Sequence, residues 1–447
     1  MPGVNVPVRQ IFRGGGRGDG SIYTGAMLAV MSAVSAFVRT RRLAHRLKTP
    51  EDVRRWQAAR LAGWMRTALP QVDAFAGAPV TRLDALPVID KAILTAGFAA
   101  YNRPRITADQ VRAAIDAGED RVRGYPIGQS TGTSGNRGYY VISEAERFVW
   151  LGTILAKALP DVLWRSHRVA LALPGFSTLY RSAEGRRISL RFFDLALGVD
   201  TWADQLAAFA PDTIVAPPKV LRRLAESGRL TARNLFSGAE VLDPLDRAVI
   251  EAATGARVRE IYMATEGLFG VACPHGTLHL AEDAVQFEWQ PSGDSGLVTP
   301  LVTDFTRRTQ IMARYRMNDL LVLSGERCAC GSPLQAVARI EGRQDDVFEL
   351  RDAGGQWRMI TPDVLRNAVV DADRAITDFR IVQTAADRIS VALDPALPPE
   401  SDARVIASLA GLFDRAGVVR PEIAVTRGLT VDFDRKLRRV RREWRQR

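Results

Sequence analysis

A run of ten residues, QSTGTSGNRG (Gln129 to Gly138), combines three glycines with four serines or threonines. Glycines leave backbone N–H groups accessible and hydroxyls add further donors, so such a loop is suited to binding a phosphate chain. It is not a Walker loop, because no Gly-Lys-Ser/Thr follows at the required spacing. A flexible linker of the same composition is the alternative, and the flanking elements decide between the two.

Soft metal ligands form a second group. All three cysteines and two of the four histidines lie in the segments CPHGTLH and CAC. Thiolates and imidazoles are the ligands of tetrahedral zinc sites. We expect a closed structural Zn²⁺ site held by Cys273, His279, Cys328 and Cys330, with His275 as the alternative histidine ligand. Three free or buried thiols are the competing interpretation, because Cys-x-Cys is a less common spacing than Cys-x-x-Cys.

The elements that flank the loop predict that it lies inside a folded domain. Tyr139 to Ile142 is a strand candidate, Ser143 with Glu146 forms a capping box, and apolar residues then recur at helical spacing. From Arg168 onward short apolar runs alternate with amphipathic helices, which is typical of a mainly parallel sheet. Ligands of such sheets bind beyond the carboxyl ends of the strands, where the loops SGAE and ATEG are expected.

The later pattern predicts an antiparallel region and then a separate small domain. After Asp283 the apolar runs take on an antiparallel character, and the end of the chain mixes short strands and helices. We expect an α/β fold with a flexible leader at 1–25 and a large domain at 26–342 that holds mainly parallel sheets and an antiparallel subdomain. A small mobile α+β domain is expected at 343–447, after the segment EGRQDD.

The composition is that of an ordinary globular protein, 47% hydrophobic and 25% charged. Lysine and arginine outnumber the acids by 61 to 50, a formal net charge of +11, which favours polyanionic partners. The apolar run Ala26 to Val38 is too short to span a bilayer, and we expect an amphipathic helix there rather than a signal peptide. A soluble, cytoplasmic protein without stable membrane insertion is expected.

Six polar motifs follow one another in the order STGTSGNRG, SGAE, YMATEG, YRMND, EGRQDD and RKLRRV. On these motifs the chain resembles the adenylate-forming superfamily of acyl- and aryl-CoA synthetases, from about LPVIDKAIL to its end. The branch to which it is most similar contains the phenylacetate–CoA ligases and the deazaflavin-coenzyme synthetases. The resemblance implies that ATP and Mg²⁺ convert an acid to an acyl-adenylate, and that the acyl group then passes to a thiol. It also implies a small domain that rotates about Gln344 and Asp345.

Matching the motifs of the family to this chain implies a role for each polar loop. Lys436 would bridge the attacking carboxylate and the α-phosphate, Thr265 would contact the α-phosphate, and Glu266 would hold Mg²⁺. The residues implied for the rest of ATP are Ser130, Thr131, Thr133, Ser134, Gly135 and Arg137 for the β- and γ-phosphates, Gly238, Ala239, Glu240 and Tyr262 for adenine, and Asp319 and Arg343 for ribose.

The chain departs from the family pattern in three of these motifs. Asn136 and Arg137 replace the usual Lys-Pro, and we expect Arg137 to supply the lost charge. The segment YRMND stands where the family usually has Thr-Gly-Asp or Thr-Arg-Asp, and only the aspartate of that motif, Asp319, is retained. Arg435 stands where the family has a glycine before the lysine.

The acid is expected to bind between the LPGFSTLY loop, the APPK turn and the strand ends at SGAE and YMATEG. The residues predicted to line this pocket are Phe176, Tyr180, Pro217, Ala239, Met263, Ala264 and Phe269. Aromatic and small side chains suit a flat ring. Similarity to ligases that activate hydroxybenzoates for aryl polyene pigments of the xanthomonadin type makes 3- or 4-hydroxybenzoate the leading candidate. An acyl carrier protein is preferred to coenzyme A as the acceptor, since the basic tail attracts acidic partners.

Two other classes of function remain open. An adenylyltransferase that leaves AMP on a hydroxyl-bearing coenzyme would use the same ATP-binding residues, and only a ligase would release AMP. A nucleic-acid-binding protein is suggested by the net charge alone. Aromatic residues, which stack on bases, make up only 7% of the chain.

Overall fold

The computed structural model describes residues 20–130, 138–173, 187–292, 296–431, 433 and 436–445, with side chains from residue 30 onward. The described α-helices are, in chain order, α1 Gly20–Arg46, α2 Pro50–Thr67, α3 Lys91–Ala96, α4 Ala108–Asp116, α5 Glu144–Ala158, α6 Val199–Phe209, α7 Pro218–Glu226, α8 Pro244–Thr254, α9 Pro362–Val370 and α10 Glu400–Arg415.

The described strands alternate with these helices in the first half of the chain and follow one another more closely in the second. They are β1 Arg121–Val122, β2 Tyr125–Gln129, β3 Tyr139–Val141, β4 His167–Leu173, β5 Ile188–Asp194, β6 Thr213–Ala216, β7 Asn234–Ser237, β8 Val258–Ala264, β9 Gly267–Ala272, β10 Leu278–Leu280, β11 Val285–Ser292, β12 Leu297–Asp304, β13 Tyr315–Arg316, β14 Asp319–Leu323, β15 Ala336–Arg343, β16 Phe348–Arg351, β17 Trp357–Ile360, β18 Phe379–Ala385, β19 Arg388–Leu393, β20 Glu422–Thr426 and β21 Val440–Arg442.

Twelve of the described strands form one mixed sheet in the order β11-β12-β14-β15-β10-β9-β8-β7-β6-β4-β5, with β13 paired to β12. Strands β4 to β8 pair in parallel. From β8 to β9 and onward the pairing is antiparallel. The expected combination of a parallel sheet with an antiparallel subdomain is therefore confirmed, and the two parts share one continuous sheet.

The parallel strands are covered on both faces because alternate side chains point to opposite sides of a strand. Ala170, Ala172 and Ile214 pack under α6, α7 and α8. Val169 and Leu171 instead face α5 and α1. Helix α5 begins at the predicted capping box, in which Ser143 Oγ accepts the Glu146 N–H and the Glu146 carboxylate accepts the Ser143 N–H.

The C-terminal residues form a second hydrophobic core that begins at Phe348. Its sheet has the order β20-β19-β18-β21, and apolar side chains of α9 and α10 pack on it. Strand β21 pairs in parallel with β18, with Val440 opposite Ile381. This pairing anchors the segment that follows Lys436, so the small α+β domain holds that lysine close to its own sheet.

The N-terminal part of the described chain consists of helices. The expected amphipathic helix at 26–38 lies within α1, which begins at Gly20, inside the span expected to be a leader. No helix in the described part of the chain combines the length and apolar character that crossing a bilayer requires.

Candidate functional site

A cavity of about 960 Å³ lies beyond the carboxyl ends of the parallel strands, and both domains contribute to its wall. The large domain supplies the SGAE and ATEG loops, and the small domain supplies residues 436–440. The sequence-predicted residues that line it are Ser130, Gly238, Ala239, Glu240, Tyr262, Met263, Ala264, Thr265, Glu266, Asp319, Arg343 and Lys436. Six loops that are distant in sequence therefore meet at one site.

The hydroxyl-rich loop connects strands β2 and β3 as a hairpin. Its base is closed by two hydrogen bonds, from Ser130 N to Gly138 O at 2.7 Å and from Gly138 N to Ser130 Oγ at 2.8 Å. The predicted phosphate ligands within the loop, Thr131, Thr133, Ser134, Gly135 and Arg137, lie outside the described residues. The loop joins two paired strands of one domain, as the flanking elements predicted, and does not connect two domains.

The base of this hairpin lies next to the ATEG turn. A Cβ built on Gly138 would lie 3.7 Å from Ser130 Oγ and 3.8 Å from Thr265 Oγ1. The same point is 3.4 Å from Lys91 Cε, in α3. Two hydroxyl oxygens and the end of a lysine side chain thus surround one small space.

Thr265 and Glu266 form the two-residue turn between β8 and β9, since Ala264 pairs with Gly267. Thr265 Oγ1 donates to Glu266 Oε2 at 2.8 Å, and the Tyr315 hydroxyl donates to Glu266 Oε1 at 2.9 Å. Both oxygens of the carboxylate are therefore held by hydroxyls. The turn presents one hydroxyl and one oriented carboxylate to the cavity.

Asp319 lies at the start of β14 beside Tyr262 and Arg343. The Tyr262 hydroxyl donates to Asp319 Oδ2 at 2.8 Å, and Arg343 Nε is 3.9 Å from Asp319 Oδ1. Burial raises the pKa of Asp319, against the opposing charges of Arg343 and Lys436. Burial also raises the pKa of Tyr262 well above its usual value, so the phenol stays protonated and remains a donor.

Lys436 reaches the cavity from the small domain, four residues before β21. Burial lowers the pKa of its ammonium, and the neighbouring charge of Arg343 acts in the same direction. Three carboxylates of the large domain, Asp319, Glu240 and Glu266, oppose this shift. The Lys436 side chain therefore lies among the groups expected to bind nucleotide.

The SGAE turn places Glu240 at the cavity wall. Its carboxylate is buried and pairs with Lys219 of α7 at 3.1 Å. Burial raises the pKa of Glu240 despite this partner. Ala239 adopts φ = 68°, a left-handed conformation that costs energy for a residue with a Cβ.

The apolar part of the cavity differs from the predicted acid pocket. Met263 and Ala264 line it as expected. Phe269 is instead fully buried in the antiparallel core, 5.4 Å from the Tyr262 ring and 6.4 Å from the Phe287 ring, because its side chain points to the opposite face of β9. Pro217 caps the N-terminus of α7 and does not line the cavity. Phe176 and Tyr180 lie outside the described residues.

Helix α5 supplies the wall that the sequence reasoning missed. The additional lining residues are Val149, Trp150, Thr153 and Ile154 of α5, Leu171 and Leu173 of β4, Val215 of β6 and Phe236 of β7. The periodic spacing of these residues in the sequence predicts that they are buried. It does not reveal that a cavity lies between α5 and the parallel sheet.

Two cations near the ATEG turn were also missed. Lys91 lines the cavity, and burial lowers its pKa while the Glu266 carboxylate opposes the shift. Arg307 lines it as well and donates from Nη2 to Thr265 O at 3.0 Å. Lys91 is the lysine of LPVIDKAIL, the segment at which the resemblance to the family begins. Its place in that segment could have identified it as a candidate site residue.

The predicted metal ligands form one cluster at the β9–β10 hairpin. One ligand atom from each of Cys273, His279, Cys328 and Cys330 lies within 4.8 Å of all the others. The distance from Cys330 Sγ to His279 Nε2 is 3.2 Å, and His279 Nδ1 contacts the Leu334 carbonyl at 3.2 Å. A histidine whose Nδ1–H donates to a carbonyl presents Nε2 as a ligand. His275 is not part of the cluster.

Comparisons with known proteins find similarity only at the level of three-dimensional structure. No protein-family model matches the chain, and no curated protein matches it. Among solved structures, 2-hydroxyisobutyryl-CoA ligase in the postadenylation state in complex with 2-HIB-AMP is similar, with a TM-score of 0.60 and 20% identity. The match covers 91% of this chain and 88% of that chain.

Two further structures of the same ligase are also similar. The postadenylation complex with R3-HIB-AMP gives a TM-score of 0.58 at 18% identity, over 91% of this chain and 88% of that chain. The open conformation in complex with 2-HIB-AMP and CoA gives 0.52 at 20% identity, over 91% and 90%. The chain therefore has the fold of this acyl-CoA ligase over nearly its whole length, with a large mixed-sheet domain and a small C-terminal domain.

Proposed function

We propose that this protein is an AMP-forming acid–thiol ligase. One observation carries the proposal: Lys436 of the small domain lies in the same cavity as Ser130, Thr265, Glu266 and Asp319 of the large domain. A phosphate loop, an oriented carboxylate and a mobile cation are what adenylate formation requires. The similar solved structures, which hold 2-HIB-AMP and in one case CoA, support the same reaction class.

In the first half-reaction a carboxylate oxygen of the acid attacks the α-phosphorus of ATP. The bond from that phosphorus to the bridging oxygen breaks, and pyrophosphate leaves with its electron pair. Ser130 and the loop residues would hold the β- and γ-phosphates, and Thr265 would contact the α-phosphate. Lys436 would bridge the two reacting anions, where its charge stabilises the negative charge that develops in the transition state.

The remaining residues would bind the nucleoside. Asp319 and Arg343 would hold the ribose hydroxyls, and Tyr262 with the turn Gly238–Glu240 would flank adenine. A magnesium ion fits the site because Glu266 offers a carboxylate at the cavity wall. Glu266 would hold that ion, and the ion would neutralise phosphate charge when bound.

In the second half-reaction a thiolate attacks the acyl carbon, the bond to the AMP oxygen breaks, and AMP leaves. We propose an aryl acid of the hydroxybenzoate type as the substrate, in the apolar arm between α5 and the sheet. Trp150 and Met263 line this arm, and a flat ring suits such a wall. We propose the phosphopantetheine of an acyl carrier protein as the preferred acceptor, because the net charge of +11 favours an acidic partner. Coenzyme A is the alternative.

The test is ATP–pyrophosphate exchange with a panel of aryl and short aliphatic acids, followed by thioester assays with both acceptors. Exchange with 3- or 4-hydroxybenzoate is expected. Lys436→Ala should abolish exchange and leave acyl transfer from a presynthesised acyl-adenylate intact. Arg441→Ala, which removes an exposed cation of the same segment, is the matched control and should retain exchange.

Several outcomes would contradict the proposal. Equal loss of both half-reactions in Lys436→Ala would remove the assigned role of the lysine. Exchange with aliphatic acids alone would remove the aryl substrate. AMP retained on a hydroxyl-bearing product would identify an adenylyltransferase. Salt-dependent oligonucleotide binding without ATP turnover would identify a nucleic-acid-binding protein.

We also propose that Cys273, His279, Cys328 and Cys330 hold a structural zinc ion that ties β10 to the 328–330 loop. The purified protein should contain close to one zinc per chain by elemental analysis, and Cys330→Ser should lose the metal and unfold at a lower temperature. His275→Ala is the matched control and should keep the zinc. A protein without zinc, or zinc lost from His275→Ala, would contradict this ligand set.

A further inference from the structure

A network of buried charges joins the two domains close to Lys436. Arg439 of the small domain reaches α8 of the large domain, where Nη1 lies 2.7 Å from Asp246 Oδ2 and Nη2 lies 2.8 Å from Asp246 Oδ1. The Asp246 side chain is fully buried, and that of Arg439 is 8% exposed. This is a bidentate pair, in which both distance and orientation must match.

Other members of the network also cross between the domains. Arg222 of α7 donates from Nη1 to Asp246 Oδ1 at 3.1 Å and to the Thr377 carbonyl of the small domain at 3.0 Å. Within the small domain, Asp378 Oδ1 accepts from Arg439 Nε at 2.7 Å. The Arg439–Asp246 pair and the Arg222–Thr377 hydrogen bond cross between the domains and depend on their present orientation, whereas the Arg222–Asp246 and Arg439–Asp378 pairs lie within one domain.

The chain geometry couples this pair to Lys436. Arg439 follows Lys436 by three residues, and its carbonyl accepts from Ile381 N at 2.7 Å, which fixes it to the small-domain sheet. The intervening Arg438 pairs with Asp346 in the connection between the domains. Any rotation that withdraws Lys436 from the cavity must also separate Arg439 from Asp246.

We propose that Asp246 and Arg439 form an interdomain latch that positions Lys436 for adenylate formation and opens when the small domain rotates for thiol transfer. This inference rests on the proposed function. Separation would leave the Asp246 carboxylate with Arg222 alone and the Arg439 guanidinium with Asp378 alone, and the loss of one partner from a buried ion pair is strongly unfavourable unless water reaches both groups. The pair thus favours one discrete orientation, and neither residue touches the reacting atoms.

The domain orientation can be measured without any substrate. Nitroxide labels attached through genetically encoded ketone side chains at Asp204 and Glu422, whose side chains are 84% and 74% exposed, leave the native cysteines untouched. Pulsed electron–electron double resonance then measures the distance between the two labels, one on each domain. In Asp246→Asn the ratio of latched to rotated molecules should fall roughly tenfold or more. Arg439→Lys, which keeps the charge and loses the bidentate geometry, should shift the ratio in the same direction.

The two half-reactions supply a second readout. With 3-hydroxybenzoate as the probe, Asp246→Asn should slow ATP–pyrophosphate exchange roughly tenfold and leave transfer from the presynthesised acyl-adenylate to coenzyme A unchanged or faster. Glu226→Gln is the matched control, because Glu226 contacts the same Arg222 from within the large domain, and it should alter neither measurement.

If Asp246→Asn and Arg439→Lys both show the same distance distribution as the wild type, the proposed latch is wrong, and this conclusion does not depend on which reaction the protein catalyses. Equal slowing of both half-reactions would overturn its role in positioning Lys436. If the wild type shows no exchange with 3-hydroxybenzoate or any other acid, the proposed function fails, and the distance measurement still judges the latch.

Discussion

Lys436 and Lys91 both line the cavity, one from the small domain and one from α3. Burial lowers the pKa of both ammonium groups. Each is therefore less well solvated than a surface lysine, and an anionic ligand restores favourable interactions to it. At the residue scale, the site is a set of incompletely solvated cations near oriented carboxylates.

The first prediction at this scale concerns pH. Because burial and Arg343 lower the pKa of Lys436, its ammonium loses its proton at a lower pH than that of a free lysine, whose pKa is about 10.4. The rate of ATP–pyrophosphate exchange should fall on the alkaline side as pH rises through this lowered value. Lys436→Arg should remove the alkaline limb from whatever exchange remains. An alkaline decrease in rate centred at or above the pKa of a free lysine would contradict the assignment to Lys436.

The second prediction concerns Lys91. Lys91→Ala removes a cation from the space beside Ser130 and Thr265, so the KM for ATP in the exchange reaction should rise roughly tenfold or more, the loss of one charge-assisted hydrogen bond. The KM for the acid should change much less. Lys48→Ala, at an exposed position before α2, should leave both unchanged. An equal rise in both constants would mean that Lys91 supports the fold and not the nucleotide.

At the scale of elements, turns and helix contacts place these residues. The ATEG turn is short because β8 and β9 pair up to Ala264 and Gly267, which leaves no freedom for Thr265 and Glu266. Helix α5 forms the apolar wall of the cavity, and α1 packs along its other side. Gly152 allows that packing, since a Cβ on it would lie 2.0 Å from the Ala33 carbonyl oxygen.

The element-scale prediction tests this contact. Gly152→Ala should lower the free energy of unfolding by roughly 1–3 kcal/mol, because α1 or α5 must shift to admit the methyl group. Gly63→Ala in α2 is the control, since a Cβ there meets nothing within 4 Å, and it should be neutral or stabilising by up to about 1 kcal/mol. Thermal unfolding of both variants measures the difference, and equal melting temperatures would show that the helices are not in close contact.

For the whole molecule, the central feature is a cavity whose wall belongs to two domains with separate cores. The large domain holds the acids and hydroxyls, and the small domain holds Lys436. A nucleotide bound in this cavity would contact both domains, so its binding free energy would contribute to the stability of the whole assembly.

The prediction at this scale is a nucleotide-dependent gain in stability. ATP with Mg²⁺ at about one hundred times its Kd should stabilise the folded protein by about 2.7 kcal/mol and raise its melting temperature. Asp319→Asn should reduce that increase, because the group proposed to hold the ribose is weakened. Asp204→Asn, exposed on α6, should not. Equal shifts in both variants would contradict a ribose role for Asp319.

The sequence by itself determined the class of the fold and the set of polar loops. Apolar periodicity and capping residues are local signals, so the strand–helix alternation and the start of α5 at Ser143 could be predicted. The four residues predicted to hold zinc were also identified correctly as one spatial group, because cysteine and histidine are rare in this chain and are concentrated in two segments.

Only the tertiary structure decided which of these residues share a surface. Sequence pattern predicts that Phe269 and Ile154 are apolar positions of β9 and α5, but it does not distinguish the core of β9 from a cavity wall on α5. Likewise, Asp246 reads as an ordinary helix residue until the fold brings it to Arg439, 193 positions away. Local propensity depends on neighbours in the chain, whereas cavities and interdomain ion pairs depend on contacts between distant segments, and those contacts form only when the whole chain has packed.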